Sequence, residues 1–149
     1  MKQHGGSSAA ADVCKRKTLG GTAGGERFGH STVPAGHVNG DGCDDLAVGD
    51  PGQMNTNSIA SGVVHVFHGK TGGLESSASW IAEGDASGDK FGGTVASAGD
   101  VNNDGYDDLL VAATGWTSGP TRAGQIYLYD GGANGLATTG HSWTRDGSG

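Results

Sequence analysis

Nine residues in the second half of the chain carry oxygen donors at alternate places. Counting from Asp100, side-chain oxygens fall at positions 1, 3, 5 and 9 as Asp100, Asn102, Asp104 and Asp108, and the Tyr106 backbone carbonyl stands at position 7. Alternate residues of a tight loop can turn inward, Gly105 permits the bend, and hard oxygens without sulfur or imidazole select calcium over a transition metal. The run opens like a helical calcium loop, which would need Glu at position 12. Val111 stands there instead, in a segment that already reads as strand. Asp and Asn also gather in turns without any metal, but here the pattern occurs twice. The earlier copy supplies Asn39, Asp41, the Cys43 carbonyl and Asp45, with His37 at the first position. Imidazole is a poor ligand for a hard cation, so the His37 loop is expected to bind calcium less tightly than the Asp100 loop. The Cys43 thiol is no ligand. Whether it pairs with Cys14 or stays free is left open.

No other constellation points to catalysis. The chain has no Gly-x-Ser-x-Gly elbow, no Gly-x-x-x-x-Gly-Lys phosphate cradle and no His-Glu-x-x-His. His65 and His68 lie three apart on an expected strand and would point to opposite faces. A calcium ion with a full set of protein oxygens leaves no position open for an activated water. The chain is therefore expected not to be an enzyme. Trp116 lies in a loop, Thr114 to Ala123, whose counterpart holds Asn55 and Asn57. A Trp among amides and hydroxyls would suit a sugar or a peptide, or would fill a gap in the packing.

The elements that position these loops follow from an internal repeat. Phe28-Gly29 recurs as Phe91-Gly92, Asp44-Asp45-Leu46 as Asp107-Asp108-Leu109 and Trp80 as Trp143, all at an offset of 63. Between Val38 to Asp50 and Val101 to Ala113, 8 of 13 positions are identical, and Gly62 to Phe67 answers Gly124 to Tyr129 at an offset of 62. Each unit contains four short apolar segments, rich in β-branched and aromatic residues and bounded by Gly, Asp, Asn and Ser, the pattern of strands. They lie near Phe28 to Ala35, Asp45 to Gly49, Gly62 to His68 and Ala78 to Ala82, then near Phe91 to Ala98, Asp108 to Ala113, Gly124 to Asp130 and His141 to Arg145. Neither Val63 to Phe67 nor Ile126 to Tyr129 alternates cleanly, as expected of sheets covered on both faces. The fold class is all-β, and four short antiparallel strands per unit of about 60 residues make a β-propeller blade. The chain would hold two four-stranded antiparallel blades, residues 18–86 and 87–149, behind a flexible leader over 1–17.

These segments resemble the FG-GAP repeat of the integrin-α type. The resemblance rests on Phe28-Gly29, His37 to Pro51 and Gly62 to Phe67, then on Phe91-Gly92, Asp100 to Ala113 and Gly124 to Tyr129, and covers roughly Thr18 to Arg145. It implies that the carboxylates at position 9, Asp45 and Asp108, suit a loop between two strands. It also implies that calcium loops occupy one propeller face and the Trp116, Asn55 and Asn57 loops the opposite, ligand-binding face. The expected function is a non-catalytic, calcium-binding, cell-adhesion or lectin-like module that binds a protein or glycan. The alternatives are a propeller fragment with a purely structural role and an accessory part of a carbohydrate-active enzyme.

Composition narrows the partners. Glycine is 31 of 149 residues against only 3 prolines, about three times the usual share, with no collagen period. The net charge of -7 argues against nucleic acid, because neutralising phosphates needs a surplus of Lys and Arg. No apolar run approaches the roughly 18 residues that cross a bilayer, and no apolar stretch follows Met1-Lys2 as a secretion signal requires. Calcium affinity of roughly 0.1 to 1 mM suits an extracellular or cell-surface setting. Two blades leave a sheet face open at each end, and a ring needs about 4 to 8. Self-association of three or four copies would close it. An added edge strand over Lys15 to Leu19, capping a monomer, is the alternative.

Overall fold

The structure is a computed structural model that describes residues 18–21 and 27–147. All regular structure among them is strand. The first half carries β1 (Ser31–Gly36), β2 (Asp45–Asp50), β3 (Val63–Phe67), the short hairpin of β4 (Gly69–Lys70) and β5 (Gly73–Leu74), and β6 (Trp80–Glu83). The second carries β7 (Phe91–Gly99), β8 (Asp108–Ala113), the short hairpin of β9 (Thr117–Ser118) and β10 (Thr121–Arg122), β11 (Gln125–Tyr129) and β12 (Trp143–Asp146). Two four-stranded antiparallel sheets result, in the orders β1-β2-β3-β6 and β7-β8-β11-β12. Each is an up-and-down meander, as a propeller blade requires. Among the described residues no helix is long and apolar enough to cross a membrane.

The blades share one core. Ala47 pairs with Val66 and Val66 with Trp80 across β2, β3 and β6, so these side chains lie on one face. That face meets Phe91, Leu109, Val111, Tyr127 and Tyr129 of the second blade in a single buried cluster. The inner strand β7 packs across β1 and β2, and glycines let the backbones meet there. A Cβ on Gly49 would run into the Gly92 carbonyl, and one on Gly62 into that of Phe91. Part of the glycine excess is thus the space between two blades, not only turns.

Several sequence expectations need correction. Phe28 and Gly29 lie in a turn closed by the His30 N–H on the Arg27 carbonyl at 2.9 Å, so the first strand starts at Ser31. The outer strands start at Trp80 and Trp143, not at Ala78 and His141. His68 lies beyond β3, so His65 and His68 are not opposite-facing residues of one strand. The hairpin on Gly119-Pro120 lies within what reads from sequence as the loop Thr114 to Ala123, and a matching one turns on Thr71-Gly72.

The outer face of the second blade is open among the described residues. Trp80 is 6% exposed, whereas its counterpart Trp143 is 49% exposed and Ile126, the counterpart of buried Val64, is 44% exposed. Among the described residues the strand β11 is therefore covered mainly on one face. Trp80 sits edge-on to Tyr129 at a centroid distance of 4.9 Å, and its indole N–H donates to the Ala137 carbonyl at 3.0 Å. Replacing Trp80 by Phe keeps most of the apolar volume but strands that carbonyl, so a loss of about 1–2 kcal/mol is expected in urea unfolding. An unchanged midpoint would show that the hydrogen bond is idle.

Candidate metal loops

Both aspartate loops stand at the same end of the blade pair, where β1 and β7 end and β2 and β8 begin. Their left-handed turns fall at equivalent places. Gly40 has φ +70 and Asn103, its counterpart, φ +59, a conformation Asn tolerates better than most residues.

In the second loop the side chains fold onto the loop's own amides. Asp100 accepts the Asp104 N–H at 3.0 Å and the Gly105 N–H at 2.8 Å. Asn102 also accepts the Asp104 N–H, at 3.1 Å, and Asp104 accepts the Tyr106 N–H at 3.0 Å. The oxygens of Asp100, Asn102 and Asp104 are thereby gathered around one stretch of backbone. Asp108 takes different partners. Fully buried, it accepts the Val101 N–H and the Gly131 N–H, each at 2.8 Å, and so ties the loop start to the residue region after β11.

The first loop repeats this plan. Asp45 accepts the Val38 N–H at 2.9 Å and the Gly69 N–H at 2.8 Å. Asp41 accepts the Cys43 N–H and an amide N–H of Asn39, both at 2.9 Å, and these donors hold its carboxyl below the usual range. The His37 ring pairs with the Asp44 carboxylate of its own loop at 3.0 Å. Cys43 forms no disulfide among the described residues, and Cys14 lies outside them.

The loops also hold each other, which the sequence did not suggest. Asp107 accepts the His37 N–H at 2.7 Å and donates its own N–H to the His37 carbonyl at 3.2 Å. The Tyr106 ring lies where a side chain on Gly40 would be. The 63-residue repeat matches Asp107 to Asp44, but only the fold shows one aspartate reaching the neighbouring blade and the other a histidine.

The donor types suit calcium, being carboxylate, amide and carbonyl oxygens. Their arrangement is that of loops closed on their own backbone: among the described residues, no three His, Cys, Asp or Glu side chains are grouped to hold a metal ion. Each carboxylate oxygen keeps a second lone pair beyond the one used by an N–H. Placing a carboxylate at the first position of the first loop tests the donor count. His37→Asp is expected to tighten its calcium binding about tenfold, since affinity follows ligand charge. Calorimetry giving the parent affinity would reject that role for position 37.

The residues expected on the opposite face are dispersed. Asn55 is buried; its oxygen accepts the Asn57 and Ile59 N–H groups and its amide donates to the Gly84 carbonyl, so it shapes its own loop. Asn57 is exposed. Trp116 is half-buried against the core, filling space beside the second blade.

Comparison with known proteins accords with this geometry. A family model described as FG-GAP repeat matches residues 91–129, the span from β7 through β11. Integrin alpha-4 of Xenopus laevis is 33% identical over 125 residues, 82% of this chain. Integrin alpha-3 of Mus musculus is 33% identical over 138 residues, 91% of this chain, and integrin alpha-IIb of Homo sapiens 37% over 114 residues, 73% of it. The chain spans only 11–12% of the length of these relatives.

Proposed function

Since an FG-GAP repeat is matched over residues 91–129 and integrin α subunits are 33% identical over most of the chain's length, we propose that it is a non-catalytic pair of calcium-stiffened propeller blades. Copies of it complete a ring, and the loops at the end away from the calcium present a surface to a protein or glycan outside the cell.

One observation carries the assembly. The residues that make the contact between the two blades inside the chain have counterparts on its two outer faces. Phe91 meets Tyr127 at 5.3 Å and Tyr129 at 6.5 Å, edge to face, under the first blade; Phe28 meets His65 at 5.4 Å and Phe67 at 6.3 Å on the first blade's outer side. Opposite them, the buried Val64, Val66 and Trp80 answer to Ile126, Leu128 and Trp143. The outer face of the second blade thus has the residues to cover the outer face of the first blade of another copy, with Trp143 against Phe67 as Trp80 lies against Tyr129. Identical head-to-tail contacts close into a ring when the rotation divides the circle. Three copies would give six blades and four would give eight.

For calcium, Asp100, Asn102, Asp104 and the Tyr106 carbonyl are the donors in the second loop, and Asn39, Asp41 and the Cys43 carbonyl in the first, with Asp108 and Asp45 at the loop bases. The bound cation would neutralise carboxylates that crowd one end of an acidic chain. Ligand that binds only the folded state must raise its stability. At ten times a millimolar-range dissociation constant, the melting temperature should rise by a few degrees, for a gain of about 1.4 kcal/mol. Identical melting in calcium and in chelator would overturn the metal assignment.

A further inference from the structure

At the end of the blade pair opposite the aspartate loops, where β1 and β7 begin, a groove of about 380 Å³ runs between the two blades. Arg27, His30 and Lys90 line it, with Gly52, Gly88 and Thr114 among its other walls. We propose that this groove binds an acidic peptide segment of a partner protein through its side-chain carboxylates.

The cations are there by repetition. Arg27 and Lys90 are 63 residues apart, each immediately before a Phe-Gly pair, so each blade supplies one to the same cleft. Lys90 has φ +55, a left-handed backbone that costs a non-glycine residue stability and is kept more often at functional sites. In a chain with 16 acidic and 9 basic residues, a stray Lys or Arg would most simply meet a carboxylate. Lys70 does so with Glu75 at 3.3 Å. Among the described residues no carboxylate lines the groove, and the side chains of Arg27, His30 and Lys90 have no ion pair among them. Two acids next to groove residues in sequence, Asp50 before Pro51 and Asp89 before Lys90, are buried and accept backbone N–H groups, Asp50 from Arg27 at 2.6 Å and Gly52 at 3.2 Å, Asp89 from Ala86 at 2.9 Å.

The walls favour a peptide. Among the described residues no Trp, Tyr or Phe lines the groove, so a sugar would lack the broad stacking platform those rings give, whereas glycine walls let an extended backbone approach. Guanidinium and ammonium groups form charge-assisted hydrogen bonds to carboxylates, and such complementarity sets specificity and association rate. The groove lies within one chain, so the inference does not depend on ring closure or on calcium.

The test is titration of the full chain with a capped hexaglutamate peptide, with capped hexaglutamine as control, followed by calorimetry at low salt. Hexaglutamate should bind and hexaglutamine should not, and binding should weaken as salt is raised, since exposed charges are screened. The double variant Arg27→Gln/Lys90→Asn, in which Asn suits the left-handed backbone, should lose at least about tenfold in affinity. The variant Arg122→Gln/Arg145→Gln, altered on the second blade's outer side, should match the parent. Should the double variant unfold, Arg27→Gln alone must lose affinity by several-fold. Equal binding by the parent and the groove variant overturns the proposal, as does equal binding of hexaglutamine, or binding of a sulfated disaccharide without hexaglutamate.

Discussion

Asp108→Ala is expected to destabilise the fold by about 3–5 kcal/mol, whether or not calcium is present. The carboxylate is fully buried and accepts two N–H groups, from Val101 and from Gly131. Hydrogen bonds to a charged group contribute about 1.5–3 kcal/mol each, and their loss leaves donors without partners. Gly131 lies directly after Asp130, at the exit of β11, so the same carboxylate fixes both the loop and the strand that packs against the first blade. Asp108→Asn keeps one acceptor oxygen and should cost roughly half as much. Asp104→Ala is the contrast: this exposed residue accepts only the Tyr106 N–H, so in chelator the change should barely move the unfolding midpoint, while calcium binding at that loop is lost. Urea unfolding in chelator separates the two roles. An Asp108→Ala midpoint equal to the parent's would show that the carboxylate is no clamp.

The second large effect concerns assembly. Trp143→Asp places a charge in the centre of the face that Ile126 and Leu128 share, and burying an unpaired charge there is far more costly than leaving the face wet. In light scattering the variant should have the mass of one chain at concentrations where the parent has three or four times that mass. Its fold should persist, because Trp143 is half exposed already and contributes little to the single chain's core. Ile81→Asp, at the other end, should act alike, as it is exposed beside His65 on the first blade's outer side. Either variant assembling as the parent does would reject the head-to-tail contact.

Much of this architecture is legible in the residues because a repeat prints the same physical plan twice. Phe-Gly, the alternate oxygens and the paired Trp residues set the blade count and the strand order. The loops are legible in kind, since Asp and Asn at every second place have few uses beyond turns and hard cations. The partners of Asp45 and Asp108 are not, because Gly69 and Gly131 lie 24 and 23 residues further on and backbone donors carry no side-chain signature. The cross-loop bond from Asp107 to His37 is hidden for the same reason. Trp80 and Trp143 are identical as residues and differ only in what lies next to them, so burial at β12 is a property of the neighbour. The basic groove is not legible in the sequence, because Arg27 and Lys90 each look like an isolated surface charge until the blades set them side by side.

Native mass spectrometry of the parent chain in calcium tests the central claim most directly, since one spectrum counts both copies and ions. A calcium-stiffened blade pair that completes its own ring predicts a species of three or four chains with one or two calcium ions on each. A species of one chain, or an assembly that takes up no calcium, would contradict it.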